Sequence, residues 1–144
     1  MAREAKRTMT ECVVQPIGYL RSELKDPALA PKFYTEGAPD AWLELDDAYA
    51  AGLERLKVGQ ELIVVTWLHL AQRDVLRVHP RGDPANPWTG VFLTRSPDRP
   101  NPLGLHRAWV RAVEGHRLRI GPMEAVDGTP VVDLKPVVDE AQDY

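Results

Sequence analysis

The sequence predicts a mainly β, single-domain β-barrel of seven or eight strands with short helical insertions, and three observations predict it. Apolar, β-rich stretches of five to ten residues recur along the 144-residue chain. Clusters of Gly, Pro, Asn and Asp separate them every eight to twelve residues or so, the spacing of a barrel or sandwich. Neither G-x-G-x-x-G nor G-x-x-x-x-G-K-[ST] occurs, so a Rossmann core or a phosphate loop is not indicated.

The first ten residues are charged and carry no apolar periodicity, so residues 1–10 are expected to be a flexible tail and 11–144 the domain. "CVVQPIGYL" (12–20) predicts the opening strand, with Pro16 at an edge or bulge. Three prolines and a glycine make 25–40 an ordered loop or lid. "AWLEL" (41–45) alternates as a strand, and Asp46 or Asp47 can cap a short helix reaching about Leu56. "ELIVVTWLHL" (61–70) is almost continuously apolar. Its β-branched run favours a strand, buried on both faces. "RDVLRVHP" (73–80) alternates cleanly, placing Leu76 and Val78 on the core face and Arg73, Val75, Arg77 and His79 on the other. "TGVFL" (89–93) predicts a short strand. "LHRAWVRAV" (105–113) and "RLRIG" (117–121) predict a hairpin across "EGH", and "VVDLKPV" (131–137) closes the sheet.

Composition bounds the function. The net charge of −3 argues against a protein that coats nucleic acid indiscriminately. Yet residues 73–107 hold six arginines (Arg73, Arg77, Arg81, Arg95, Arg99, Arg107) against Asp74, Asp83 and Asp98, leaving −6 on the rest of the chain. An anionic partner bound at one place and a solvated face with its own ion pairs both fit that pattern. Cys12 is alone, which excludes a disulfide framework and a thiolate metal site. His69, His79, His106 and His116 lack metal-ligand spacing, so no metal is expected. No run approaches the ~18 apolar residues of a membrane span, and no apolar leader is present, so the expectation is cytoplasmic with no membrane partner.

The chemistry concentrates in "TRSPDRPNPLGLH" (94–106). Pro97, Pro100 and Pro102 fix their own backbone and push Ser96, Arg99 and Asn101 towards extended geometry. A loop so stiffened loses little entropy on binding, and Arg95 and Arg99 suit bidentate recognition of an anion. Arg99 and Asn101 either face a substrate or hold the loop in shape. Gly104 permits a turn or a close approach. "DGTP" (127–130) is a turn by default, though it offers a carboxylate and a hydroxyl at a sheet rim. His79, beside Arg73 and Arg77, either helps read an anionic ligand or is structural. Trp67 and Trp109 are expected in the core. Phe33, Tyr34 and Trp88 sit in loops, to stack on a base or cation or to tuck onto the core.

"GVFLTRSPDRPNPLGL" (90–105), "DGTPVVDLKP" (127–136) and the opening "PIGYLRS" (16–22) together resemble the TrmO/TsaA-like family. The resemblance implies a β-barrel that binds S-adenosylmethionine without a Rossmann fold. It further implies N6-methylation of threonylcarbamoyladenosine beside the anticodon of threonine tRNA, carried out by a homodimer. By position it implies cofactor contacts at His69, Leu70, Arg95, Leu105, Asp127, Gly128, Thr129 and Pro130. A further cofactor contact is implied at Pro31, Lys32 and Phe33, the nearest match to the family's Pro-Arg-Gln tripeptide. Lys keeps the charge without the guanidinium fork, and Phe drops the amide. Arg73, Arg77, His79, Arg99 and Asn101 are the substrate-side candidates, and no residue is assigned as the catalytic base. Methylation of a different or smaller acceptor, and a non-enzymatic S-adenosylmethionine-binding module, are the alternatives.

Overall fold

Alternating burial builds the wall of this protein, and β2 (Ala41–Leu45) shows the rule: Ala41, Leu43 and Leu45 point inward while Trp42 and Glu44 stay half-exposed. The computed structural model describes residues 10–31 and 36–138. Within them β1 (Gly18–Arg21), β2, β3 (Glu61–Trp67), β6 (Leu103–Glu114), β7 (Arg117–Gly121) and β8 (Pro130–Pro136) close a barrel in the order β1-β2-β7-β6-β3-β8. Every pairing is antiparallel. Two-residue strands β4 (Arg77–Val78) and β5 (Thr89–Gly90) form a separate ribbon. The inward face brings Leu20, Leu43, Val64, Leu118, Ile120, Met123 and Val131 into one core. Each fully buried side chain of that size contributes about 1.5–3 kcal/mol relative to exposure, so the packed interior carries the fold.

Register fixes which connections share an end. β3 runs up to Trp67, which pairs with Leu103 at the start of β6. Thr66 pairs with Val131 near the start of β8, and Tyr19 of β1 pairs with Pro130. Arg21 pairs with Trp42 at the start of β2, and Ala41 with Ile120 near the end of β7. The β1–β2 connection, the long β3–β6 connection and the β7–β8 connection therefore leave the barrel at the same end. The other end carries the β6–β7 turn and a 3₁₀ helix, Asp47–Leu53, whose N-cap Asp46 accepts from the Ala48 amide at 2.9 Å. A shallow groove of about 560 Å³ at that far end, lined by Leu53, Leu56, Leu62 and Leu134, is remote from the residues singled out above.

Several expected elements come out shorter. The opening strand is confined to Gly18–Arg21, with Cys12–Gln15 exposed ahead of Pro16. β3 ends at Trp67, and His69 and Leu70 lie in the turn beyond it. Its outer face is half-buried, not covered as expected. The strand expected over 73–80 shrinks to Arg77–Val78 because its sheet partner among the described residues is a two-residue strand. Leu76, expected on the core face, is 62 % exposed. "TGVFL" gives two strand residues and then a 3₁₀ turn, Val91–Leu93, with only Val91 buried. Trp67 and Trp109 are half-buried at the barrel surface. Of the 1–10 tail only Thr10 is among the described residues. The 105–121 hairpin and the closing strand form as expected.

Candidate functional site

The described cofactor-side and substrate-side candidates lie on the three connections at this end of the barrel or on strand residues next to them, and two clusters hold most of them. The first joins the β1–β2 and β7–β8 connections. Asp127 Oδ1 accepts from the Ser22 amide at 2.9 Å, and its Oδ2 lies 3.0 Å from Lys25 Nζ. The Asp127 amide donates to Leu24 O, Gly128 N to Leu20 O, and Leu20 N to Thr129 O. The Ser22 amide, and then Lys25, hold the Asp127 carboxyl below the usual carboxylate range, so it is anionic and fixed in direction. Gly128 has φ +82°, and among the described residues nothing lies within 4 Å of where a Cβ would stand. The turn thus shows its backbone to open space, as close approach by a ligand requires. The Thr129 side chain is buried and its hydroxyl donates to Val126 O at 2.7 Å, so the hydroxyl is committed to the turn itself. Pro31 and Pro130 are half-buried at the rim. Lys32 and Phe33, and Tyr34 with them, lie outside the described residues.

A folded-state carboxyl held low stabilises the protein above the unfolded carboxyl's titration, and that contribution is lost as pH falls through the folded value. Acid unfolding between about pH 5 and pH 3 should therefore be steeper for the wild type than for Asp127→Asn. Parallel melting curves across that range check it.

The second cluster is the proline-rich loop and the turn after β3. Leu68 N donates to Pro102 O at 2.8 Å, Gln72 N to Asp98 Oδ1 at 2.9 Å, and Arg99 N to Gln72 O at 3.1 Å. Arg99 is turned into the loop: Nη1 donates to Thr94 O and Ser96 O, and Nη2 to Val91 O. Arg73 donates through Nε to Pro100 O and through Nη2 to Asn101 Oδ1, with its guanidinium over Trp67. In the structure Arg99 and Asn101, and Arg73 with them, are engaged in hydrogen bonds within the loop. Arg95, by contrast, is exposed and has no hydrogen bond or ion pair among the described residues. His69, Leu70 and Leu105 are likewise exposed.

Arg77 and His79 do not share a strand face with Arg73. His79 Nδ1 lies 2.7 Å from Asn86 O, and its ring packs 3.9 Å from that of Trp88. Arg77 sits 5.2 Å over the same indole. Trp88 remains 57 % exposed, so the ribbon carries a cationic aromatic stack facing solvent. Such a stack suits an unpaired base and its phosphates.

Sequence reasoning missed one group. Thr66 Oγ1 lies 2.7 Å from His106 Nε2, and His106 Nδ1 meets Glu124 Oε1, all three side chains being largely buried. The inward parity of Gly104, His106, Ala108 and Val110 on β6 is the signal that could have found it.

The family described as the tRNA-methyltransferase O N-terminal domain matches residues 19–143. An Archaeoglobus fulgidus protein named S-adenosyl-L-methionine-binding protein is 38 % identical over 123 residues, covering 85 % of this chain and 87 % of that one. A Methanothermobacter thermautotrophicus protein named a probable S-adenosyl-L-methionine-binding protein is 37 % identical over 131 residues, covering 90 % and 93 %. Among solved structures, TrmO from Pseudomonas aeruginosa superposes with a TM-score of 0.72 at 28 % identity. The match covers 94 % of this chain and 60 % of that one, so the chain spans less than two thirds of the solved protein.

Proposed function

This chain belongs to the tRNA-methyltransferase O N-terminal domain family, and from that premise we propose that it methylates N6 of threonylcarbamoyladenosine beside the anticodon of threonine tRNA. The methyl donor is S-adenosylmethionine, and the protein works in the cytoplasm as a homodimer. The family description names a tRNA methyltransferase, and the archaeal relatives are named for the donor they bind. The observation that carries the reading is the uncommitted Arg95, presented by a locked loop at the same barrel end as the fixed Asp127 carboxylate and the open Gly128 backbone. The residues present fit the donor. An anionic Asp127 complements its cationic or hydroxyl groups, and Arg95 complements its carboxylate. When bound, S-adenosylmethionine supplies an electrophilic methyl carbon. What the chain contributes is alignment of donor and acceptor by rigid backbone. Arg77 and Trp88 on the ribbon supply a contact for an unpaired nucleotide.

Calorimetric titration with S-adenosylmethionine tests the donor, and transfer of labelled methyl into bulk tRNA tests the acceptor. Arg95→Ala should weaken donor binding by about tenfold, roughly 1.4 kcal/mol, with an unchanged melting temperature. Arg77→Ala should weaken tRNA binding and leave donor affinity unaltered. Absence of heat with the wild-type protein would sink the reading, and label appearing in another acceptor would move it there.

A second copy is the occupant proposed for the apolar surface at this end. Phe92 and Leu93 are 76 % and 84 % exposed, and Leu103 and Leu105 project outward from β6 nearby in the chain. Where exposed apolar side chains of this size join into one surface they mark an interface. Leu93→Glu should shift sedimentation from dimer to monomer, and a monomeric wild type would refute the assignment.

A further inference from the structure

The buried polar chain Thr66–His106–Glu124 spans three elements: β3, β6 and the β7–β8 connection. Stability does not account for it. A buried ionisable pair is often matched or bettered by apolar residues of the same volume, because desolvation offsets the attraction. This one carries a further cost, since Glu124 Oε2 is buried with no hydrogen-bond partner among the described residues. β6 also gives up a side chain to make room. A Cβ on Gly104 would stand 2.4 Å from Thr66 Oγ1 and 2.6 Å from His106 Nε2. Three departures from an apolar interior at one point call for a role outside the core.

Its position supplies one. Glu124 stands three residues before Asp127. Among the described residues, the other hydrogen bonds that dock the 122–130 segment run to β1 and the β1–β2 connection: Asp127 to Ser22 and Leu24, Gly128 and Thr129 to Leu20, and Met123 to Pro39. Towards β6 and β3, the walls that carry the proline-rich loop and the His69 turn, Glu124–His106 is its buried side-chain link among the described residues. The exposed Arg81–Glu36 pair joins the β3–β6 connection to the β1–β2 connection, not to the 122–130 segment. We infer that Thr66, His106 and Glu124 form a positioning relay that holds the Asp127–Pro130 turn in register with the loop bearing Arg95. With Nδ1–H directed at the carboxylate, Nε2 is left to accept the Thr66 hydroxyl, so one strand residue sets the ring that sets the loop. The inference rests on the donor reading only for its ligand measurement.

The full chain is compared with the His106→Leu/Glu124→Met double variant, with Glu124→Leu, and with Glu124→Gln, whose amide oxygen can still accept from His106. Two quantities are read: hydrogen exchange at the Asp127, Gly128 and Thr129 amides without ligand, and calorimetric affinity for S-adenosylmethionine. The double variant should exchange those three amides about tenfold faster while β2 and β7 amides are unchanged, and lose about tenfold in affinity. Glu124→Gln should restore both. If the double variant does not fold, Glu124→Leu against Glu124→Gln makes the same comparison. Unchanged exchange at the three amides in the leucine and double variants overturns the relay. Faster exchange together with a wild type that binds no S-adenosylmethionine upholds the relay and removes the donor reading instead.

Discussion

Arg99→Ala is expected to cost about 3 kcal/mol and to release the 91–101 loop. The guanidinium donates to three backbone carbonyls, of Val91, Thr94 and Ser96, from a half-buried position. A hydrogen bond to a charged group contributes about 1.5–3 kcal/mol, and carbonyls left without a donor pay their own desolvation. The three bonds are coupled through one side chain, so the total is set below their sum. Lysine should not rescue, because a single ammonium cannot span three acceptors laid out for a planar fork. The contrast with Arg95 is the discriminating part. Four residues away in the chain, Arg95→Ala should leave stability within about 0.5 kcal/mol, as exposed substitutions do. Urea unfolding of the two variants side by side makes the measurement. A loss below about 0.5 kcal/mol for Arg99→Ala would show that the prolines alone shape the loop.

The two arginines also show where the sequence is readable. "TRSPDRPNPLGLH" announces a rigid, charged loop because proline geometry is a local property. Which arginine points inward depends on carbonyls that the loop presents only once folded, so proline geometry alone does not separate Arg95 from Arg99. The same division runs through the fold. β2 and the β6–β7 hairpin are legible because inward and outward residues alternate in the sequence itself. The 73–80 segment alternates as well, yet it lacks a partner long enough to make a strand of it. Of the site, the Asp127 turn and the Arg95 loop are legible as motifs. The Thr66–His106–Glu124 relay is not, since its members lie 40 and 18 residues apart and each alone reads as an ordinary core or loop residue.

Gly18→Ala should be as damaging, for a reason that no side chain can relieve. An added Cβ would stand 2.4 Å from the Glu44 carbonyl oxygen and 3.0 Å from Leu45 Cα. Both belong to the backbone of β2, opposite Gly18 in the register. Relief requires the two strands to part, and overpacking of that kind costs about 3 kcal/mol. The consequence is larger than one pairing, because the four-residue β1 is what joins β2 to β8 and closes the barrel. It also carries Leu20, whose backbone takes the Gly128 amide and gives to the Thr129 carbonyl. The variant should therefore lose stability and loosen the Asp127–Pro130 turn together. Gly59→Ala is the control: its φ of +91° disfavours alanine, but nothing lies within 4 Å of the new Cβ. Its cost should stay near the ~1 kcal/mol of a strained backbone alone. Chemical unfolding that found equal losses at the two positions would mean that β1 and β2 have room to yield, and that the glycine of "PIGYLRS" is not a steric requirement of barrel closure.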